Sequence, residues 1–451
     1  MPDAKIITYA IVGLGGRSRF YLDAISQTYA STNRIVALCD RNAGRLALAA
    51  NIPSVAALKP KLYSEKEFDR MIEENRLQVV LVLCQDSDHD HYICRAMELG
   101  CDVVTEKPMT IDAARAQRIV DTQQKTGRHV RVTFNYRYSP SRSQVKELLM
   151  SGVIGDVLSV DLQWMLDTRH GADYFRRWHR HKRSSGGLLV HKSTHHFDLV
   201  NWWLSALPED IVATGRRRFA TPKTARRLGL QNPGRYCSEC EERSKCPFFL
   251  DLSANEELKA LYLDQESYDG YHRDQCIFSS DMDIEDSMQA LVNYDNGVTL
   301  KYSLNSFCAW EGFTIQFNGT KGRLEHKCEE SVYINGDGTV PGALKKEGTF
   351  TRVYPTRKPA YEVPVWNGTG GHGGGDDALL LDLFGAPVAD KYMRAADYRS
   401  GVYSILCGIA ANQSIATHGW VKVGDLVQGV SSPDYPSMPD GCELFSIPLH
   451  V

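Results

Sequence analysis

The chain has 451 residues, 43% of them hydrophobic and 24% charged, with a formal net charge of -3. That size exceeds one ordinary core, and the composition excludes a disordered chain or a protein that attracts polyanions through a basic field, so nucleic acid is not an expected partner. No run of about 18 apolar residues is available to cross a bilayer, and the N-terminus lacks the pattern of a signal peptide, so the expected location is cytoplasmic with no membrane partner.

The first third alternates strand and helix. KIITYAIV (5–12) is a β-rich run into glycines, and RFYLDAISQTYA (19–30) carries a helical stripe at Phe20, Ala24 and Ile25. RIVALCD (34–40) is a strand followed by the helix-like NAGRLALAAN (42–51). LQVVLVLC (77–84) is apolar on both faces and leads into the helix of SDHDHYICRAMELG (87–100), with Ser87 as N-cap and Gly100 as stop. CDVVTEK (101–107) is the next strand, TIDAARAQRIVDTQQKTG (110–127) the next helix, and RHVRVTFNYR (128–137) closes the series. Repeated βα units with apolar strands predict a doubly wound parallel sheet, a Rossmann domain over residues 1–135.

In that setting Gly13-Leu14-Gly15-Gly16-Arg17-Ser18 gains meaning, although Ser18 replaces the third glycine of G-x-G-x-x-G. Gly13 suits the tight turn, and Gly15 lets the backbone approach a pyrophosphate at a helix N-terminus. Asp40, ending the second strand, would bind an adenine-ribose diol and favours NAD, while Arg41 beside it leaves NADP open. Lys107, Gln85 and Asp86 stand at carboxyl ends of strands, where ligands of such sheets bind. Pro108 holds the backbone of Lys107 extended and so aims its side chain.

From residue 136 to 451 the pattern predicts a second α/β domain with an open, mostly antiparallel sheet. KELLMSGVIG (146–155) reads as helical, and DVLSVDLQWM and DIVATGRRRF as strands. Hairpins are expected around Asp295-Asn296-Gly297 and Asn318-Gly319. Six of the fourteen histidines fall between His170 and His196. From Ser193 onward the segment looks helical, and spacings of three and four bring His191, His195, Asp198 and Trp202 towards one face if the helix extends that far back. A carboxylate one turn from an imidazole would orient it for proton transfer. His191, His195 and Asp198 also have the spacing of metal ligands, a reading ranked lower because a nucleotide fold and a lysine already supply redox and acid/base parts. Aromatic residues Tyr136, Tyr174, Trp178 and Trp202 are available to stack on sugar rings, with one of Trp202 and Trp203 expected in the core.

A polar insertion at about 220–280 carries Cys237-x2-Cys240-x5-Cys246 and, further on, Cys276, which satisfies a tetrahedral structural zinc pattern. Removing zinc is expected to loosen the insertion and leave cofactor binding intact. His372 lies in a glycine cluster that would let backbone approach a ligand.

Taken together, the glycine turn, Glu106-Lys107-Pro108, FNYRYSP (134–140), SGVIGDV (151–157), the His195-x-x-Asp198 segment and GGHGGGDDALLLDLF (370–384) resemble the Gfo/Idh/MocA oxidoreductases. The resemblance implies a Rossmann domain followed by an open-sheet domain, a cis peptide before Pro108, and a homo-oligomer formed through the open sheet. It implies hydride transfer between NAD(P) and a ring hydroxyl of a sugar, inositol or glycoside. Gly13, Gly15, Gly16, Arg17, Ser18, Asp40, Arg41, Gln85, Glu106 and Lys107 would hold the cofactor. Lys107 and His195 would handle the proton, with Asp198 and His191 beside them, and Tyr136, Arg137, Trp178, Lys192 and His372 would meet the carbohydrate. Many members carry an acid where this chain has His191. The alternatives are an NAD-dependent glycoside hydrolase working through a transient 3-keto intermediate, and a non-catalytic nucleotide sensor.

Overall fold

The computed structural model describes residues 6–344 and 348–439. Six strands, β1 (Ile7–Val12), β2 (Asn33–Cys39), β3 (Lys61–Tyr63), β4 (Val79–Val82), β5 (Asp102–Thr105) and β6 (Val130–Val132), form a parallel sheet in the order β3-β2-β1-β4-β5-β6. Ala10, Ile11, Val80, Leu81 and Val103 are fully or almost fully buried, because helices cover both faces and water reaches neither. The strand order reverses between β1 and β4, so the carboxyl ends of these neighbours open a crevice. The sequence pattern does not announce β3, since three residues are too few to show alternation.

The second sheet has nine strands: β7 (Val157–Asp167), β8 (Pro208–Arg216), β9 (Ser287–Tyr294), β10 (Thr299–Cys308), β11 (Glu311–Gly319), β12 (Gly322–Ser331), β13 (Phe350–Pro355), β14 (Tyr361–Val363) and β15 (Val421–Lys422). They lie in the order β14-β13-β12-β11-β7-β10-β9-β8-β15, and only the β7/β10 pair is parallel. Both expected hairpins form, β9 with β10 and β11 with β12. Alternation along β9 turns Met288, Ala290, Val292 and Tyr294 inward and Gln289 and Leu291 outward.

Helices Ser193–Leu204 and Tyr398–Thr417 cover the inner face. Tyr294 donates its hydroxyl to Asn201 Oδ1 at 3.0 Å, and Ala213 N donates to Ser414 Oγ at 2.9 Å. Gly408 is required there, because a Cβ would stand 2.1 Å from the Leu189 carbonyl oxygen. Every residue of Ser193–Leu204 is buried, and its last carbonyls, on Trp202 and Trp203, accept from the buried Lys146 amine at 2.7 and 3.3 Å. Both indoles are fully buried with their N–H groups on the Tyr392 and Arg142 carbonyls, so neither is the sugar platform that one of them was expected to be. Val132 N donates to Ala396 O at 2.9 Å, which ties the segment before the last long helix to the edge of the first sheet. No helix among the described residues is long and apolar enough to cross a membrane.

Candidate active site

A cleft of about 560 Å³ runs from the glycine turn to the histidine-rich segment. At one end, Gly13 takes φ +89°, and a Cβ there would sit 2.5 Å from Cys84 N, so the turn admits no side chain. Asp40 braces the turn: its two carboxylate oxygens accept from Leu14 N at 2.6 Å and from Asn42 N at 2.7 Å. Each oxygen keeps acceptor capacity for a diol. Ser18 is buried and donates its hydroxyl to Gly15 O at 2.8 Å, so it shapes the turn instead of facing the cleft. Arg41 lines the cleft and pairs with Asp88. These residues fit the adenosine and pyrophosphate half of a dinucleotide.

At the end of β5, Glu106 is a hub. It accepts from Arg17 Nε at 2.7 Å, from the Tyr21 hydroxyl at 2.8 Å and from the backbone N–H of Lys107 at 3.2 Å. Burial pushes its carboxyl up, but the charges of Arg17 and Lys107 outweigh burial and hold it below the usual range. The Lys107–Pro108 peptide is cis. Burial is the largest influence on the Lys107 amine and lowers its pKa to about 8, against the opposing pull of Glu106 and Asp86. Among the described residues the amine makes no hydrogen bond.

The far wall comes from the second domain. His191 Nδ1 meets Asp86 Oδ2 at 2.5 Å, with Asp86 supplied by the crevice end of the first sheet. Burial raises the Asp86 carboxyl well above its ordinary value, and burial with the Lys107 charge drives His191 well below, so the imidazole is neutral. His191 belongs to a separate turn, Leu188–His191, and not to the helix that carries His195. The His195 ring stacks on Tyr136 with centroids 4.1 Å apart, and its buried Nδ1 has no partner among the described residues. Burial likewise holds His195 neutral. Lys192 donates to the Tyr136 hydroxyl at 3.0 Å. Trp178 lines the cleft, stacked on His179 with centroids 3.6 Å apart. His372 lines it too, in left-handed backbone (φ +52°), its Nδ1 held by Asp376 Oδ2 at 2.9 Å. Asp376 also accepts from Asn135 at 2.7 Å and from Arg17 at 3.4 Å, so the glycine-rich C-terminal segment is docked onto the glycine turn.

Two expected site residues lie elsewhere. Asp198 does not bond to His195, and Arg137 does not line the cleft. They form a bidentate pair at 2.8 and 2.6 Å, 0% and 1% exposed, away from the cleft lining. The i, i+3 spacing put Asp198 beside His195 in sequence, but the carboxylate answers the stronger demand of a buried guanidinium. Gly13, Gly15, Gly16, Arg17, Asp40, Arg41, Gln85, Glu106, Lys107, Tyr136, Trp178, His191, Lys192, His195 and His372 all line the cleft.

The insertion between β8 and β9 also reaches it, which the sequence did not disclose. The Tyr262 hydroxyl accepts from Gly16 N at 3.0 Å, Asn42 donates to Gln265 O at 3.0 Å, and Arg45 pairs with Asp269. The insertion is thus bonded to the glycine turn and to the segment after β2. Cys237, Cys240, Cys246 and Cys276 are unbridged and line a separate small cavity in the same insertion.

A family profile described as "Oxidoreductase family, NAD-binding Rossmann fold" matches residues 7–134, and one described as "Oxidoreductase family, C-terminal alpha/beta domain" matches residues 146–423. YteT of Bacillus subtilis (strain 168), which carries an oxidoreductase name, is 36% identical over 425 residues, covering 92% of this chain and 97% of that protein. The inositol 2-dehydrogenase/D-chiro-inositol 3-dehydrogenase of Lactiplantibacillus plantarum is 24% identical over 203 residues, 45% of this chain and 53% of that protein. A solved levoglucosan dehydrogenase in complex with NADH superposes with a TM-score of 0.62 at 15% identity, covering 93% of this chain and 99% of that one, a likeness of fold.

Proposed function

This chain belongs to the Gfo/Idh/MocA oxidoreductase family, and from that premise we propose that it is a dehydrogenase moving hydride between NAD and a ring hydroxyl of a sugar, inositol or glycoside. The observation that carries the reading is a half-buried lysine, without a hydrogen bond among the described residues and with a pKa lowered to about 8, in one cleft with a braced glycine turn and five histidines from the second domain. Relatives named as inositol and levoglucosan dehydrogenases support the substrate class.

Bound nicotinamide supplies the hydride acceptor. Loss of hydride from carbon requires loss of a proton from the attached hydroxyl, and the neutral amine of Lys107 takes it. His195, neutral and with an unpartnered Nδ1, donates to or accepts from a substrate hydroxyl and so fixes the ring. The Asp86–His191 pair, in contact at 2.5 Å, is the second acid/base element of the cleft. Lys192, Tyr136, Trp178 and His372 bind the carbohydrate by hydrogen bonds and stacking. Asp40 favours the ribose diol of NAD, and the Asp88 partner of Arg41 engages the cation that NADP would need. The outward face of the nine-stranded sheet, which exposes Leu158 and Leu291, is the surface we assign to self-association.

The test is a panel of inositols, sugars and aryl glycosides with NAD and with NADP, following nicotinamide absorbance and aglycone release together. Substrate-dependent NADH formation supports the reading. Aglycone release with no net NADH identifies redox-neutral glycoside cleavage instead, and silence across the panel sinks both.

A further inference from the structure

The hydride-transfer site leaves four cysteines of the insertion unused. We propose that Cys237, Cys240, Cys246 and Cys276 bind one structural zinc ion that closes the insertion at its base. The first ground is convergence. Cys276 lies far along the chain from the other three, yet all four line one cavity of about 20 Å³, alongside Gly234, Phe248 and Phe278. A short backbone pairing brings the two segments together: Tyr236 bridges Gln275, Cys237 N donates to Asp274 O at 2.8 Å, and Cys276 N donates to Arg235 O at 2.8 Å.

The second ground is how the sulfurs are solvated. Gly234 N donates to Cys240 Sγ at 3.3 Å. A neutral thiol is a weak acceptor, whereas a thiolate gains a charge-assisted hydrogen bond. An amide turned on the Cys240 sulfur therefore suits a metal-bound thiolate better than an idle thiol.

A second donor set lies close by. Among the described residues, Glu266, His272 and Asp274 are the one group of three such side chains whose donor atoms lie within 4.8 Å of one another, and Glu266 Oε1 and Asp274 Oδ1 are buried without partners. The four sulfurs do not stand at that spacing, and Zn–S bonds of about 2.3 Å would draw them in. The cysteine set is favoured because four soft ligands complete a tetrahedron by themselves, while the other set offers three donors, two of which already pair at 3.1 Å.

Elemental analysis of the full-length protein, purified without added metal or chelator, should give about one zinc per chain, the occupancy of one tetrahedral site. Replacement by Co2+ should add a near-ultraviolet thiolate-to-metal band and intense visible bands of tetrahedral cobalt. His272→Ala should retain both metal and band. Cys240→Ser should lose metal, and because that variant could fail to fold, thiol titration of the unaltered protein gives a second reading: four cysteines should be slow to react until a chelator is added. Absence of bound metal overturns the proposal, as does cobalt bound without a thiolate band, or metal lost in His272→Ala.

Discussion

His191 and Asp86 meet at 2.5 Å although 105 positions separate them in the chain. Four residues before His195 this chain carries an imidazole and takes a carboxylate for it from the other domain. Asp86→Asn keeps the hydrogen bond but removes the acid. It should lower kcat by about a hundredfold, the lower range for general acid–base groups, and leave NADH affinity near normal. Steady-state rates and NADH titration check this; a fall in affinity with kcat unchanged would assign Asp86 to cofactor binding.

Lys107 must be neutral to accept a proton, and its pKa in the free protein lies at about 8. The group is a base with a lowered pKa, so its active form grows as pH rises. Oxidation of substrate should therefore climb through about pH 8 and then level off. Lys107→Ala should abolish turnover while NADH still binds, and Lys107→Arg should stay inactive across the range because a guanidinium keeps its proton. A pH–rate profile of the three forms is the measurement.

Asp198→Ala should act on stability more than on chemistry. It leaves the fully buried Arg137 without its counter-charge, a loss of about 3–5 kcal/mol for a broken buried pair. Thermal denaturation should show the drop, and activity per folded molecule should persist at low temperature. A stable, inactive variant would return Asp198 to the catalytic set.

Tyr262 holds the amide of Gly16, a donor that a glycine turn directs towards phosphate. Tyr262→Phe frees that donor without changing the ring. NADH should bind about 2- to 10-fold more tightly, the value of one hydrogen bond no longer in competition. Calorimetric titration tests it, and weaker binding would mean that the hydroxyl supports the cofactor directly.

Legibility from sequence followed the range of the interactions involved. The Rossmann half is built from local signals, such as apolar runs of strand length, helix stops and a glycine turn whose backbone angle excludes a side chain, so its elements and Asp40, Glu106 and Lys107 could be read directly. Even there β3 escaped, because three residues carry no period. In the second half, spacing placed His195 and Asp198 on one helix correctly but could not say which neighbour each side chain would choose. A fully buried arginine claimed Asp198, and a carboxylate from the other domain claimed His191. The insertion showed its cysteines in sequence but not Tyr262, whose role depends on the chain folding back to Gly16.

What the chain alone determined was the order of strands and helices, the phosphate-type turn and the lysine at a strand end, all set by backbone preference and hydrophobic period within a few residues. Which charges pair, which imidazole remains free and which loop covers the cleft were decided only in three dimensions. Burial raises the cost of an unpaired charge, and the partner that relieves it is chosen by proximity in space.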